Sequence, residues 1–333
     1  MKTDKQIFSN QHFVPQFYLR LFSDDKHTIA KYSKHYRRKT EKSSIARTAS
    51  RNGLYDYEYE EHKLTSEIEE GLGLIEQKAS KLIKRYDHNP ADFANMDASE
   101  KATLARYFGL QYARTLKFRK FQESAFDYYI KRGVAEAEAI KNHTSIEGEM
   151  TKWLERPIYF INRTGPLVHE MLELARLTEL TIYAYTWTLI KTRHDAFITS
   201  DSPMARITGD DGQDEFMIAL GSRLVLLMTP SNSSDMHYLY EGDHPFAIME
   251  IFQKAYNYNR LVCEQSYLEI YGQSKLIDEA VARYSPKFSM SEVHFTDTAD
   301  ENARLHERAF PIDVISTSDI DYYRILYRRK SRK

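Results

Sequence analysis

The apolar pattern of the chain changes period three times, and this succession limits the fold more than any single motif does. Up to about residue 60 the pattern is that of strands and turns. His12 to Phe22 is dense in aromatic and aliphatic residues, Thr28 to Tyr36 alternates, and Asn52-Gly53 is a turn signal ahead of Leu54-Tyr55-Asp56. A helical period follows. Ile68, Leu72, Ile75, Ala79 and Leu82 recur at three- and four-residue spacing within Thr65 to Arg85. Ser99 to Glu123 predicts a second helix, capped by Ser99, with Leu104, Phe108, Gln111, Tyr112 and Thr115 on one face. A more polar helix is expected from Ala125 to Lys141, and Pro166 opens another that reaches Leu177.

The period then shortens again. Thr181 to Ile190 is rich in Thr, Ile, Tyr and Trp and reads as a strand. Ala196 to Thr199 reads as a short strand closed by Ser200-Asp201-Ser202-Pro203, and Leu224 to Met228 as a third ended by Thr229-Pro230. Phe246 to Tyr271 returns to helix, and Leu276 to Tyr284 continues it. We therefore expect an α+β fold: a small β-rich N-terminal part, a helical middle, a central antiparallel or mixed strand cluster, and C-terminal helices. With only 12 Gly and 9 Pro, linkers are scarce. One α+β domain over residues 1–320 and a basic, fraying tail over 321–333 are the expected organisation.

Composition narrows the setting. A formal net charge of −1 provides no global field toward nucleic acid or an anionic membrane, so such a partner needs a local patch. The single cysteine, Cys263, excludes an intramolecular disulfide and fits a reducing, cytoplasmic compartment. Within its helix-like run it reads as a small buried hydrophobe. Met1 to Asn10 lacks the apolar segment of a secretory signal, and no apolar run approaches the ~20 residues needed to span a bilayer.

Familiar chemical signatures are absent. There is no phosphate-cradling Gly-x-x-x-x-Gly-Lys, no dinucleotide fingerprint and no Gly-x-Ser-x-Gly elbow. Zinc spacing fails, so neither a metal nor an organic cofactor is expected. Glu61-His62-Lys63 has a nuclease-like Glu-x-Lys spacing, but in a segment rich in Glu and Tyr it reads as a solvated helix start. Arg163 and His169 are spaced as in some ribonucleases, yet Gly165 and Pro166 interrupt the helix such a pair requires.

Three segments carry polar residues that a purely structural account strains to explain. In His12-Phe13-Val14-Pro15-Gln16-Phe17-Tyr18-Leu19-Arg20, spacing of four aligns His12, Gln16 and Arg20 on one face of a strand or a helix. In Leu110-Gln111-Tyr112-Ala113-Arg114-Thr115, Gln111 sits on an apolar face with Arg114 three residues on, and both need partners or a ligand. In Phe197-Ile198-Thr199-Ser200-Asp201-Ser202-Pro203, a strand delivers Ser200 and Asp201 to its C-terminal end, where ligand sites of α/β proteins often lie. A solvated edge, a structural ion pair and an Asx turn are the respective structural alternatives.

Taken in order, the three segments resemble the family known as domain of unknown function 4238, found in bacteria and some fungi. The matching patterns are His-x-Val-Pro-x-x-Tyr-Leu-Arg-x-Phe from His12 to Phe22, Gln-x-x-Arg-Thr from Gln111 to Thr115, and Ile-Thr-Ser-Asp-x-Pro from Ile198 to Pro203. Asn259 matches a later helical Asn, and the resemblance runs over about residues 10 to 275. Leu116 departs from it, because relatives commonly have Pro after Arg-Thr. The resemblance implies site candidates but no mechanism.

The candidate site is therefore His12, Arg20 and Asp201 as catalytic groups, with Gln16, Gln111, Arg114, Ser200 and Asn259 in binding roles. Two arginines favour a phosphate or carboxylate, and His with Asp supplies acid–base capacity near neutral pH. The first expectation is a metal-independent hydrolase or nuclease acting on a phosphate-bearing small molecule or nucleic acid. The alternative is a non-catalytic module that binds an anion or a partner. Basic stretches at Tyr36-Arg37-Arg38-Lys39 and in the tail suggest nucleic-acid contact, against which the balanced charge argues. Defence against phage is suggested only by the setting of such orphan families.

Overall fold

The computed structural model describes residues 10–55, 57–60, 63–65, 67–154, 164–209, 212–231, 235–242 and 249–285. The described elements, in chain order, are β1 (Asn10–His12), α1 (Gln16–Leu19), β2 (Thr28–Ser33), β3 (Arg38–Ser44), β4 (Ser50–Asn52), β5 (Tyr57–Glu60), β6 (Lys63–Thr65), α2 (Glu67–His88), α3 (Ala98–Ala113), α4 (Leu116–Asn142), α5 (Ile146–Leu154), α6 (Thr164–Ala184), β7 (Thr186–Lys191), β8 (Thr199–Ser200), β9 (Met204–Thr208), β10 (Asp214–Gly221), β11 (Leu224–Thr229), β12 (Met236–Tyr240), α7 (Met249–Gln265), β13 (Glu269–Gly272) and α8 (Ser274–Tyr284). The expected α+β class is observed, in the expected order. Two compact units divide the chain, residues 1–119 with 160–290 and residues 120–159 with 291–333.

The first unit is organised by two sheets. A five-stranded sheet has the order β12-β7-β11-β10-β9, antiparallel except for the parallel pair β12–β7. Its central strands β10 and β11 are buried from Phe216 to Leu220 and from Leu224 to Met228, which accounts for their uninterrupted apolar runs. A four-stranded antiparallel sheet, β3-β2-β13-β8, joins two N-terminal strands to two strands from far along the chain. β1 pairs with β4, setting His12 opposite Ser50.

Helices α2, α3 and α6 also belong to this unit. On α2 the buried residues Leu72, Ala79, Ile83 and Tyr86 follow helical spacing, and the helix stops at His88, before Asn89-Pro90. The α3 cap is Asp97 rather than Ser99: the Asp97 side chain accepts from the amides of Ser99 and Glu100. α3 is buried from Tyr107 to Ala113 and packs on α6 at Gly109. A Cβ there would lie 2.3 Å from the Ala175 carbonyl oxygen, so only glycine permits this approach.

Boundaries differ from expectation where one apolar face runs through a break. Ser99 to Glu123 is not one helix. α3 ends at Ala113, and the Thr115 hydroxyl accepts the Phe118 amide at 3.2 Å, capping α4. Leu116 thus occupies the first helical position, one that also suits proline, so the departure at Leu116 leaves the break intact. Thr181 to Ala184 belongs to α6, not to a strand. The Thr181 hydroxyl donates back to the Leu177 carbonyl at 2.9 Å, which accommodates a β-former in a helix. Of the helix expected from Phe246 to Tyr271, residues 246–248 lie outside the described residues, and the rest is α7 followed by β13, because β13 finds β2 and β8 as sheet partners.

The second unit is described over residues 120–154. It comprises α4 from Lys120 onward and α5, with Tyr128, Ala135, Met150 and Trp153 forming its core. The Trp153 indole donates to Glu138 Oε2 at 2.8 Å, satisfying its polar edge.

Candidate functional site

His12, Gln111 and Arg114 come together in the first unit. β1 ends at His12, and Gln111 reaches the chain beside it: Gln111 Nε2 donates to the Phe13 carbonyl at 3.0 Å. Gln111 Oε1 accepts from Arg114 at 2.8 Å (Nη2) and 3.3 Å (Nε). The remaining arm, Nη1, donates to Glu76 Oε1 at 2.6 Å. Spacing on the helix makes this possible, since Tyr107, Gln111 and Arg114 are four and three residues apart and share a face. The Arg114 side chain is 1% exposed and that of Glu76 is 25% exposed, so the pair is sealed on one side and open at the carboxylate.

Electrostatics within the cluster follow from its burial. Burial works against the Arg114 charge, and Glu76 with the nearby Tyr55 and Tyr107 hydroxyls more than offsets it, holding the pKa above the ordinary arginine value. The half-buried His12 is pushed down, chiefly by desolvation, so its imidazole is neutral at pH 7. His12 Nε2 faces the Ile45 carbonyl at 3.4 Å. A carbonyl only accepts, so the tautomer with its proton on Nε2 is the one that donates here, and the Asn10 backbone bonds the ring as well. Burial pushes Tyr55 and Tyr107 above the ordinary phenol range.

Gln16 and Arg20 form a separate pair. His12 lies on a strand and Gln16 on α1, so the row of three expected from spacing is divided. Arg20 Nη2 donates to Gln16 Oε1 at 2.8 Å and Nε to the Lys26 carbonyl at 3.2 Å, and Arg20 is exposed.

Ser200 and Asp201 lie beside the turn from α7 into β13, and Asn259, within α7, binds the segment that leads to them. Asp201 Oδ1 accepts the Tyr267 amide at 2.8 Å, and Oδ2 accepts the amides of Leu268 and Glu269. Burial raises the Asp201 pKa, and the three amides pull against that rise. Ser200 Oγ accepts the Ser202 amide at 3.0 Å. Asn259 grips the strand leading to β8: its Oδ1 accepts the Ile198 amide at 3.1 Å and its Nδ2 donates to the Ala196 carbonyl at 2.7 Å. Two buried lysines, Lys34 and Lys117, lie in electrostatic reach of Asp201.

Sequence reasoning missed Glu76, Tyr55, Tyr107, Lys34 and Lys117. Glu76 had a signal, since it lies four residues after Leu72 and three before Ala79, on the buried face of α2. Cys263 is fully buried, and burial pushes its thiol up to about 12, as suits a small core residue. Lys39, in the basic stretch, is held by Glu41 at 2.9 Å and Asp278 at 2.7 Å. Glu61, His62, Arg163 and the tail fall outside the described residues. Among the described residues no group of three or more His, Cys, Asp or Glu is placed to hold a metal ion, and no helix is long and apolar enough to cross a membrane.

These features define a mixed helix-and-sheet protein with a buried polar cluster built from two of its sequence motifs. The chain belongs to the family described as "Protein of unknown function (DUF4238)", whose profile matches residues 10–276. Neither the curated proteins nor the solved structures give a match.

Proposed function

We propose that the chain is a metal-independent hydrolase acting on a phosphate-bearing substrate, with the His12–Glu76–Arg114 cluster as its centre. The observation that supports this is the pairing of a neutral, half-buried imidazole with an ion pair that is closed behind Arg114 and solvent-accessible at Glu76. His12 is the base that takes a proton from the attacking water; as the new P–O bond forms, the ester P–O bond breaks and the leaving oxygen takes a proton from solvent. Glu76 is the resting occupant of the guanidinium, and a substrate oxyanion exchanges with it. Arg114 then stabilises charge developing on that oxyanion. Asp201, assigned a catalytic role on sequence grounds, acts in this reading by holding the α7–β13 turn.

The test is turnover of p-nitrophenyl phosphate, bis(p-nitrophenyl) phosphate and labelled single-stranded RNA and DNA in excess chelator. Wild-type turnover that disappears in His12→Ala, with unchanged circular dichroism, is the expected result. Turnover retained by His12→Ala removes His12 from the chemistry and overturns the proposal.

A second reading, a non-catalytic anion- or partner-binding module, is favoured by the ion pair itself. Displacement of Glu76 from Arg114 changes the cluster without any chemical step. Phosphate binding with no turnover of any probe selects this reading.

A further inference from the structure

Two hydroxyls at the cluster are buried and lack a hydrogen-bond partner among the described residues: Tyr107 OH and Ser50 Oγ. Tyr107 is completely buried, its ring 5.5 Å from those of Phe17 and Phe108. It stands one turn before Gln111 on the face of α3 that carries Arg114, and its hydroxyl is in electrostatic reach of Arg114 and Glu76. Ser50 lies directly across from His12 in the β1–β4 register, so the two side chains project from the same face. Leaving a buried hydroxyl unbonded costs stability, and each such group in a folded protein calls for an explanation, of which a ligand that completes the bond is one. A phenol or alcohol next to a guanidinium is a donor looking for an acceptor oxygen.

We propose that Tyr107, assisted by Ser50, donates to an oxygen of an oxyanion ligand bound at Arg114, making it a binding residue for a phosphoryl group. The assignment rests on the hydrolase or anion-binding reading of this cluster. It accounts for a feature that reading leaves unused, a polar atom placed in the core at the expense of stability. With Glu76 exchanged off Nη1, the ligand oxygen meets one charged donor from Arg114 and one neutral donor from Tyr107. Such a pair favours an oxyanion over a neutral carbonyl, because the guanidinium adds its charge to the donated hydrogen bonds.

The test uses the full chain and inorganic phosphate as probe, read by thermal unfolding, with phosphodiester turnover measured in parallel. Phosphate is expected to raise the wild-type Tm and to raise that of Tyr107→Phe much less, its apparent Kd weakened about tenfold or more. Without phosphate, Tyr107→Phe should unfold at or above the wild-type Tm, because an unbonded hydroxyl contributes nothing to the free protein. Ser50→Ala should weaken phosphate binding with the same pattern and a smaller effect. A wild-type chain indifferent to phosphate overturns the assignment, as does a Tyr107→Phe variant that binds phosphate like wild type. If wild type turns over substrate and Tyr107→Phe does so equally well, this assignment falls and the hydrolase reading stands. If phosphate binding depends on Tyr107 but no probe is turned over, the assignment stands and the hydrolase reading falls.

Discussion

Lys34 and Lys117 deliver their ammonium groups to the same helix end. Lys34 Nζ donates to the carbonyls of Cys263 at 3.0 Å and Ser266 at 2.7 Å, and Lys117 Nζ donates to the Gln265 carbonyl at 3.2 Å. These carbonyls close α7, where backbone acceptors lack helical partners and the helix dipole is negative. Asp201 takes the amides that follow, so cations bind the last carbonyls and a carboxylate binds the first amides of the turn.

Lys117 makes this corner pH-dependent. Burial first, and then the neighbouring Lys34 charge, bring its pKa down to about 7. The unfolded value is about 10.4, so between these pH values the unfolded chain binds one more proton than the folded chain. Stability from this group therefore rises as pH rises from about 7 to about 10. In Lys117→Met that rise is absent, whatever the variant loses at the Gln265 carbonyl. Thermal unfolding of both proteins across the range checks this, and wild-type and variant curves that run parallel refute it.

Asp201 carries three backbone amides on two oxygens, and asparagine cannot replace it. The carboxamide offers one acceptor oxygen and turns an NH2 group toward an amide donor. Asp201→Asn is expected to lose about 3 kcal/mol, one charge-assisted bond together with an amide left unbonded. Urea denaturation followed by circular dichroism measures this. A variant within about 0.5 kcal/mol of wild type contradicts it. Specific activity of the folded fraction then separates roles: it is preserved if Asp201 only holds the turn and collapses if Asp201 takes part in chemistry.

Such cases show what the sequence makes legible and what it hides. The order of strand and helix regions was readable because burial imposes period two or period 3.6 on each stretch. Breaks inside a continuous apolar face were not. Leu110 to Phe118 is buried on both sides of the α3–α4 junction, and only the Thr115 hydroxyl marks the stop. β13 was hidden because its strand state depends on β2 and β8, far away in sequence. At the site, His12, Gln111 and Arg114 were readable as polar groups in apolar surroundings. Their counter-ion was not, since Glu76 looks like any surface glutamate until the buried face of α2 is drawn through it. Asp201 and Asn259 stood out for the same reason as His12, yet the hydrogen bonds they make are to backbone amides and carbonyls. A polar residue in an apolar stretch signals a required partner, and spacing does not say whether that partner is ligand or main chain.

The crossing of α3 and α6 gives a sterically simple prediction. A methyl group at position 109 would meet the Ala175 carbonyl oxygen at 2.3 Å and the Glu179 amide nitrogen at 3.0 Å, both backbone atoms that cannot rotate away. Alanine favours helix by about 1 kcal/mol over glycine, and overpacking a close contact costs about 1–3 kcal/mol. The shift needed here lies at the upper end, so Gly109→Ala should destabilise the protein in chemical denaturation. An unchanged or raised midpoint would show that the two helices separate freely.

Glu170 on α6 supplies a prediction of opposite sign to that for Lys117. Burial first, and then the Glu173 charge one turn on, raise its pKa to about 7. An unfolded glutamate titrates near 4.3, so between about pH 4.3 and 7 the folded chain binds the extra proton. The contribution of this group to stability is greatest below the unfolded value and declines as pH rises through the folded one. Glutamine keeps the shape and never ionises. Glu170→Gln should match wild type near pH 4 and exceed it near pH 8 by roughly 1–2 kcal/mol, discounted for partial exposure. The difference between the two denaturation curves at the two pH values is the readout. A gap that is the same at both values would mean that Glu170 ionises normally in the folded protein and that solvent or a neighbouring cation reaches its carboxylate.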